Sequence, residues 1–389
     1  VSHAPGRHHL QIPGPTNVPE RVLRAIAAPT IDHRGHDFER LAREVLAGLR
    51  GVFGTSGPVI VFPSSGTGAW EAALVNTLSP GDRVLMFETG HFASLWAAMA
   101  RQLGLDVDFV PGDWRRGVDP ALVASRLGDD RDRRVKAVAV VHNETSTGAA
   151  SRIAEIRRAI DAAGHPALFL VDTISSLGSI EYRHEAWGVD VTVSCSQKGL
   201  MLPPGLGFNA VSARALAASE HARLPRAYWR WDEMLRHNEA GFFPYTPATN
   251  LLYGLREALA MLAEEGLDAV VARHRRHGDA TRRAVQAWGL ETQCVEPREW
   301  SDSLTAIRVP DGSDADAVRK VVLDRFNMSL GGGLGKLRGR VFRIGHLGDF
   351  NDLMLAGTLA GVEMGLQLAG VPCAKGGVQA ALESLAAAR

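Results

Sequence analysis

Short, wholly apolar runs recur along the first half of the chain, and each ends in a cluster of small polar residues followed by an amphipathic stretch. The runs are PVIVFPSSGTG (58–68), DRVLMFETGHF (82–92), VKAVAVVHNETSTG (135–148), PALFLVDTISSLG (166–178) and VDVTVSCSQKG (189–199). A strand without alternation is buried on both faces, so the pattern predicts parallel strands covered by helices. The intervening segments AWEAALVNTL (69–78) and RIAEIRRAIDAAG (152–164) carry the helical period, and the second closes on Gly164 as a helix end should. The fold class is therefore α/β with an open, covered sheet.

After residue 255 the texture changes. Residues 252–289 predict long helices, and SLTAIRVP (303–310), DADAVRKVVLDRF (314–326) and RVFRIGHLG (340–348) predict a strand–helix–strand unit. A length of 389 residues exceeds what one core sustains, roughly 250–300, so two domains are expected. We divide the chain into an N-terminal arm (1–20), a large domain (21–270) and a small C-terminal α/β domain (271–389). The arm carries four prolines and predicts extended chain rather than a core element.

Charge changes the picture by exclusion. Lys+Arg and Asp+Glu are both 43, which argues against a general nucleic-acid surface. Three cysteines without CxxC or Cys/His spacing predict neither a zinc site nor a disulfide framework. No apolar run is long enough to cross a membrane and the first residues lack a signal-type apolar core, so the expected location is cytoplasmic. Only five of the basic residues are lysines (Lys136, Lys198, Lys320, Lys336 and Lys375), which narrows the choice of a catalytic amine.

In open parallel sheets, ligands sit beyond the carboxyl ends of the strands, where the polar clusters fall. Ser65-Gly66-Thr67-Gly68 opens a helix after a strand, which suits a phosphate; an N-cap in a tight turn would use the same residues. Asp172 ends a strand, either as a helix cap or as a ligand partner. Lys198 follows an apolar strand directly, and burial there would favour its neutral, nucleophilic form; a surface loop lysine is the bland alternative. Lys136 precedes a strand, Lys320 lies on a charged helix, and Lys336 and Lys375 sit in Gly-rich loops. Phosphate cradle, aspartate and lysine together fit pyridoxal phosphate. Phe92 would stack on its ring or serve the core. Arg343, inside the strand VFRIG, would clamp a carboxylate through its planar fork or else face water on an edge strand.

The sequence resembles the class V, fold-type I pyridoxal-phosphate aminotransferases, closest to the serine–glyoxylate branch. The resemblance rests on PGPTNVP (13–19), DHR (32–34), SGTGAWEAALVNTLSPGD (65–82), HNETSTG (142–148), VDTISSLGS (171–179), WGVDVTVSCSQKGLMLPPGLGF (187–208), FFPYTPATNLLYGL (242–255) and GKLRGRVFRIGHLG (335–348). It implies a large domain with a mainly parallel seven-stranded sheet between helices and a small C-terminal domain. It implies Lys198 as Schiff-base lysine, Asp172 on the pyridine nitrogen, and Ser65, Gly66, Thr67 and Gln197 on the phosphate. It further implies Phe92 on the ring, Thr145 on the ring hydroxyl side and Arg343 on the substrate carboxylate. Thr246 would reach the phosphate of a neighbouring subunit in a homodimer. Some relatives have tyrosine at the position of Phe243, and Tyr245 is the candidate replacement. Thr173 is a second departure, expected to matter little.

The implied reaction moves an amino group from a small L-amino acid, serine first, to glyoxylate. Alanine and aspartate are alternative donors, and a dicarboxylic donor would want a second cation, for which Arg34, Arg236 and Arg338 are candidates. A cysteine desulfurase would need a carrier cysteine in a mobile loop, and the Gly-rich segment 327–339 has none. A non-catalytic regulator would carry a basic nucleic-acid module, which this chain lacks.

Overall fold

The computed structural model describes residues 6–387. Seven strands form the large sheet, in the spatial order Val59–Ser64, Gly205–Val211, Val191–Cys195, Leu168–Asp172, Val135–Val141, Arg83–Phe87 and Asp106–Val110. All run parallel except Gly205–Val211, which is antiparallel to both neighbours. The five apolar runs supply five of the parallel strands, because their apolar side chains find cover on both faces. Helices Gly66–Thr77, His91–Gln102 and Ile153–Ala162 are among those in the connections, and Gly164 takes the left-handed conformation (φ 54°) just beyond the last of these.

The predicted long helical region is two helices, Thr249–Glu265 and Leu267–Ala287, broken at Gly266 with φ 84°. The second helix joins the two apolar cores: Val270 packs in the large one, Ala280, Ala284 and Val285 in the small one. The smaller sheet has the order His9–Gln11, Met328–Gly332, Val341–Gly345, Leu304–Arg308, Glu291–Thr292. Three of these strands were not anticipated, among them the short Glu291–Thr292. Met328–Gly332 hides in a glycine-rich stretch, and His9–Gln11 adds an edge strand from the segment expected to be only extended chain.

Beyond His9–Gln11 the chain passes between the two sheets. A Cβ on Gly345 would meet the Ile12 carbonyl at 2.2 Å, and Thr16 N–H donates to the Gln197 carbonyl at 3.1 Å. The N-terminal segment thus ties the small sheet to the polar end of the large one.

Candidate active site

The carboxyl ends of the large sheet's parallel strands open onto one cleft of about 150 Å³. Ser65, Gly66 and Thr67 line it from the N-terminus of helix Gly66–Thr77, and Phe92 from the first turn of His91–Gln102. Thr145, Asp172, Gln197 and Lys198 line it as well. A larger cavity lies elsewhere, around Arg157, Glu185 and Arg214, and contains none of these residues.

Asp172 is the last residue of its strand and is 3% exposed. Its Oδ1 accepts the Ile174 N–H at 2.6 Å, and its Oδ2 accepts the Trp70 indole N–H at 2.9 Å. Burial pushes its carboxyl up to about 7; the two donors and the Lys198 charge pull it down, and Glu144 adds to the rise. Among the described residues no hydrogen-bonded cation balances this carboxylate. Thr173 beside it bonds the Val193 carbonyl at 3.0 Å and does not line the cleft.

Lys198 stands on the turn after strand Val191–Cys195, and its Nζ donates to the Pro13 carbonyl at 2.9 Å. Burial holds its amine below the ordinary lysine range, against the opposing influence of Cys195; the Arg343 charge adds to the lowering, and Asp172 opposes it. None of the other four lysines lines the cleft.

Gly66 is packed so closely that a Cβ would lie 2.3 Å from the Ile174 side chain. The helix it begins has no side-chain cap, so its first N–H groups and its dipole face the cleft. Gln197 has a buried Oε1 without a hydrogen-bond partner. A half-turn of its amide would place the NH₂ there, a donor for an anion's oxygen.

Thr145 Oγ1 donates to Ser175 Oγ at 2.7 Å, and Ser175 Oγ donates to the Asn143 carbonyl at 2.9 Å. The donor is spent inward, leaving Thr145 Oγ1 as an acceptor. Phe92 is placed by the same segment. Buried Glu144 accepts the N–H groups of Phe92 (3.3 Å) and Ala93 (3.0 Å), and Ser146 Oγ accepts that of His91 (3.0 Å). A carboxylate at the first turn of a helix also matches its dipole.

Arg343 lies in the strand Val341–Gly345, which is paired on both sides, and it is 7% exposed. It is no edge-strand arginine. Its Nε donates to the Gly332 carbonyl and its Nη1 to the Thr145 carbonyl, both at 2.9 Å. Burial lowers its guanidinium to about 10, so it stays charged at neutral pH.

Arg343 meets this cleft only through its bond to Thr145, and two further predicted residues are not brought to it. Thr246 is exposed, and Tyr245 stacks on Tyr228 with centroids 4.6 Å apart and its hydroxyl unpartnered. Phe243 is core, edge-on to Phe38 at 6.0 Å. Arg34 and Arg338 are exposed, Arg236 sits beside Glu233, and none of them lines the cleft. Sequence reasoning missed Trp70, Asn143, Ser175 and Pro13. Trp70 was legible only as one residue of a helix; its place one turn after the Ser-Gly-Thr-Gly opening is the signal that would have found it.

The sequence model described as Aminotransferase class-V matches residues 9–333. The chain belongs to the class-V aminotransferase family. It is 50% identical to the serine–glyoxylate aminotransferase of Methylorubrum extorquens, over 99% of this chain and 97% of that one. It is 46% identical to the L-aspartate–glyoxylate aminotransferase of Paracoccus denitrificans, over 96% and 94%. Among solved structures, pyridoxamine–pyruvate aminotransferase from Mesorhizobium loti superposes with a TM-score of 0.91 at 28% identity, covering 97% of each chain.

For an aminotransferase of this family the implied cofactor is pyridoxal phosphate, and the cleft fits it. The uncapped helix N-terminus and the unsatisfied Gln197 amide suit a phosphate. The buried Asp172 carboxylate calls for a cationic partner such as a protonated ring nitrogen, and the inward-bonded Thr145 hydroxyl offers an acceptor to a ring hydroxyl.

Proposed function

We propose that this aminotransferase moves the amino group of a small neutral L-amino acid, serine first, to glyoxylate, giving glycine and the 2-oxo acid of the donor. The observation that carries the reading is the convergence of Lys198, Asp172 and the uncapped helix start at Ser65–Thr67 on one cleft, with Arg343 bonded to its wall at Thr145. Pyridoxal phosphate, when bound, supplies an aldehyde carbon and a ring that accepts electrons.

The chain's own residues divide the remaining work. Ser65, Gly66, Thr67 and Gln197 would hold the phosphate, and Asp172 would keep a proton on the ring nitrogen. Phe92 covers the ring and Thr145 meets its hydroxyl. Lys198, lining the cleft, would hold the cofactor through its Nζ. Its amine would take the proton from the amino acid's Cα, a task that needs the neutral form its burial favours. Arg343 fixes the substrate carboxylate through its fork.

The donor follows from charge. Among the described residues lining the cleft, Lys198 is the one cation, and Arg343 adjoins it. With both already engaged, a second carboxylate on the donor finds no further counter-ion among the described residues lining the cleft, which favours serine or alanine over aspartate. Serine is preferred to alanine on the strength of the Methylorubrum relative.

The active unit we infer is a homodimer. Tyr245 and Thr246 stand away from their own cleft, and the unpartnered Tyr245 hydroxyl suits a role across an interface. The setting is the cytoplasm, where the free thiols of Cys195, Cys294 and Cys373 would persist.

The test is to mix holoenzyme with one amino acid at a time and follow the cofactor's absorbance. Serine should convert it fully and aspartate should not. Conversion by aspartate alone would overturn the donor assignment, and conversion by no amino acid would overturn the reaction.

A further inference from the structure

The Gly-rich segment after strand Met328–Gly332 does not hang free. Lys336 Nζ pairs with Glu88 Oε1, and its ammonium lies 5.2 Å from the centre of the Trp114 ring. Trp114 donates its indole N–H to the same Glu88 oxygen at 3.0 Å, and Gly112 N–H donates to Oε2 at 3.4 Å. Glu88 follows the strand Arg83–Phe87 of the large sheet, four residues before Phe92. Trp114 is buried against Leu304, Leu337 and Val341 of the small domain, so this cluster is where the two domains meet.

The Glu88 side chain is 15% exposed and that of Lys336 is 63%. Burial pushes the Glu88 carboxyl up, but hydrogen bonds from Lys336, Trp114 and Gly112 outweigh it and hold it below the ordinary carboxylate range. An isolated exposed ion pair contributes little, but this one closes a loop with little stiffness of its own. Gly333 and Gly335 follow the strand directly, and each glycine leaves the backbone more freedom to lose. Gly335 is left-handed (φ 52°), and a Cβ there would come 2.9 Å from the Trp114 ring. One end of this loop carries the Gly332 carbonyl that accepts from Arg343 Nε; the other end carries Lys336.

We propose that Glu88, Trp114 and Lys336 form an interdomain latch that positions Arg343, making Glu88 and Lys336 positioning residues for substrate carboxylate binding. The proposal rests on reading Arg343 as the carboxylate clamp. With the latch made, the glycine loop is pinned at both ends, and the Gly332 carbonyl holds the guanidinium in one orientation. With the latch open, the loop relaxes and the fork loses one of its two fixed acceptors.

The test compares holoenzymes carrying Lys336→Met, Glu88→Gln, both together, and Lys336→Arg. Methionine keeps the apolar stem and removes the charge; glutamine keeps an acceptor for Trp114. Expected for each single variant is a rise of about 5- to 10-fold in KM for serine and for glyoxylate alike. Turnover should stay within about 2-fold, with cofactor absorbance and thermal midpoint unchanged. The double variant should be no worse than either single one, and Lys336→Arg should restore most of the affinity. Raising the salt concentration should raise the wild-type KM more than that of Lys336→Met, because screening acts on the pair. Unchanged KM in Lys336→Met, or a fall in turnover with cofactor loss and no change in KM, would overturn the latch. Arg343→Leu separates the two readings. If it abolishes affinity for both substrates while Lys336→Met does nothing, the latch fails and the clamp stands; if Arg343→Leu leaves both KM values unchanged, the clamp itself fails.

Discussion

The Trp70 indole N–H donates to Asp172 Oδ2 at 2.9 Å, joining a helix on one face of the large sheet to the end of one of its central strands. The bond does two things at once. It satisfies an indole that is 3% exposed, and it stabilises the ionised form of a carboxyl that burial would otherwise neutralise. Trp70→Phe removes the donor and keeps an aromatic ring. A hydrogen bond to a charged group contributes about 1.5–3 kcal/mol, so cofactor affinity should fall roughly 10- to 100-fold. Titration of cofactor-free Trp70→Phe with pyridoxal phosphate measures it, and wild-type affinity would show that the bond serves only the helix.

A pH dependence follows from the same carboxyl. Its value in the cofactor-free fold is about 7, against an ordinary 3.8. The folded value is raised, so its contribution to stability is fully present below about pH 4 and is lost as pH rises to 7: over that window the unfolded chain ionises and the folded one does not. Asp172→Asn lacks this titration. The stability of cofactor-free wild type relative to Asp172→Asn should therefore decline between pH 4.5 and 7.5, by an amount on the order of a few kcal/mol. Thermal midpoints of the two proteins across that range decide it, and parallel curves would contradict the burial of an uncompensated carboxyl.

Gly14 bears on Lys198 through space alone. Its φ is +105°, and a Cβ would fall 2.3 Å from Lys198 Cδ and 2.5 Å from Nζ. Gly14→Ala should displace the lysine and open the Nζ bond to Pro13. Turnover should fall by more than about 10-fold, with the thermal midpoint of the cofactor-free protein lowered only modestly. Full activity in Gly14→Ala would mean that the N-terminal segment does not set the lysine's position.

Arg343→Leu should keep the cofactor and lose affinity for amino and oxo acids equally, since all share the α-carboxylate. Breaking a desolvated, charge-assisted pair costs roughly 2–5 kcal/mol. Arg343→Lys should recover part of the loss, because an ammonium cannot make the fork. Steady-state kinetics with serine and glyoxylate measure both variants. A loss confined to one substrate would assign Arg343 to a side chain instead.

Much of this was legible in the sequence because chemistry and pattern coincide there. Asp172 ends one apolar run and Lys198 follows another within a turn, where parallel strands must end, so a one-dimensional pattern marks a three-dimensional rim. Arg343 stood out for the opposite reason, as a charge inside an apolar strand. Trp70, Ser175 and Pro13 could not be read this way. Each acts through a partner far along the chain: Asp172 is 102 residues from Trp70, and Lys198 is 185 from Pro13. Strand Met328–Gly332 was hidden because glycine carries no hydrophobic signal, although its backbone pairs normally with Val341–Gly345. Tyr245 and Thr246 were placed by resemblance alone, and the fold of one chain leaves them outside its own cleft.

The account turns on which amine holds the cofactor. The most direct measurement is borohydride reduction of the holoenzyme followed by peptide mass mapping. The account predicts one pyridoxyl-phosphate addition per chain, on the peptide containing Lys198. Label on Lys136, Lys320, Lys336 or Lys375, or no covalent label on a protein that still transaminates, would contradict it.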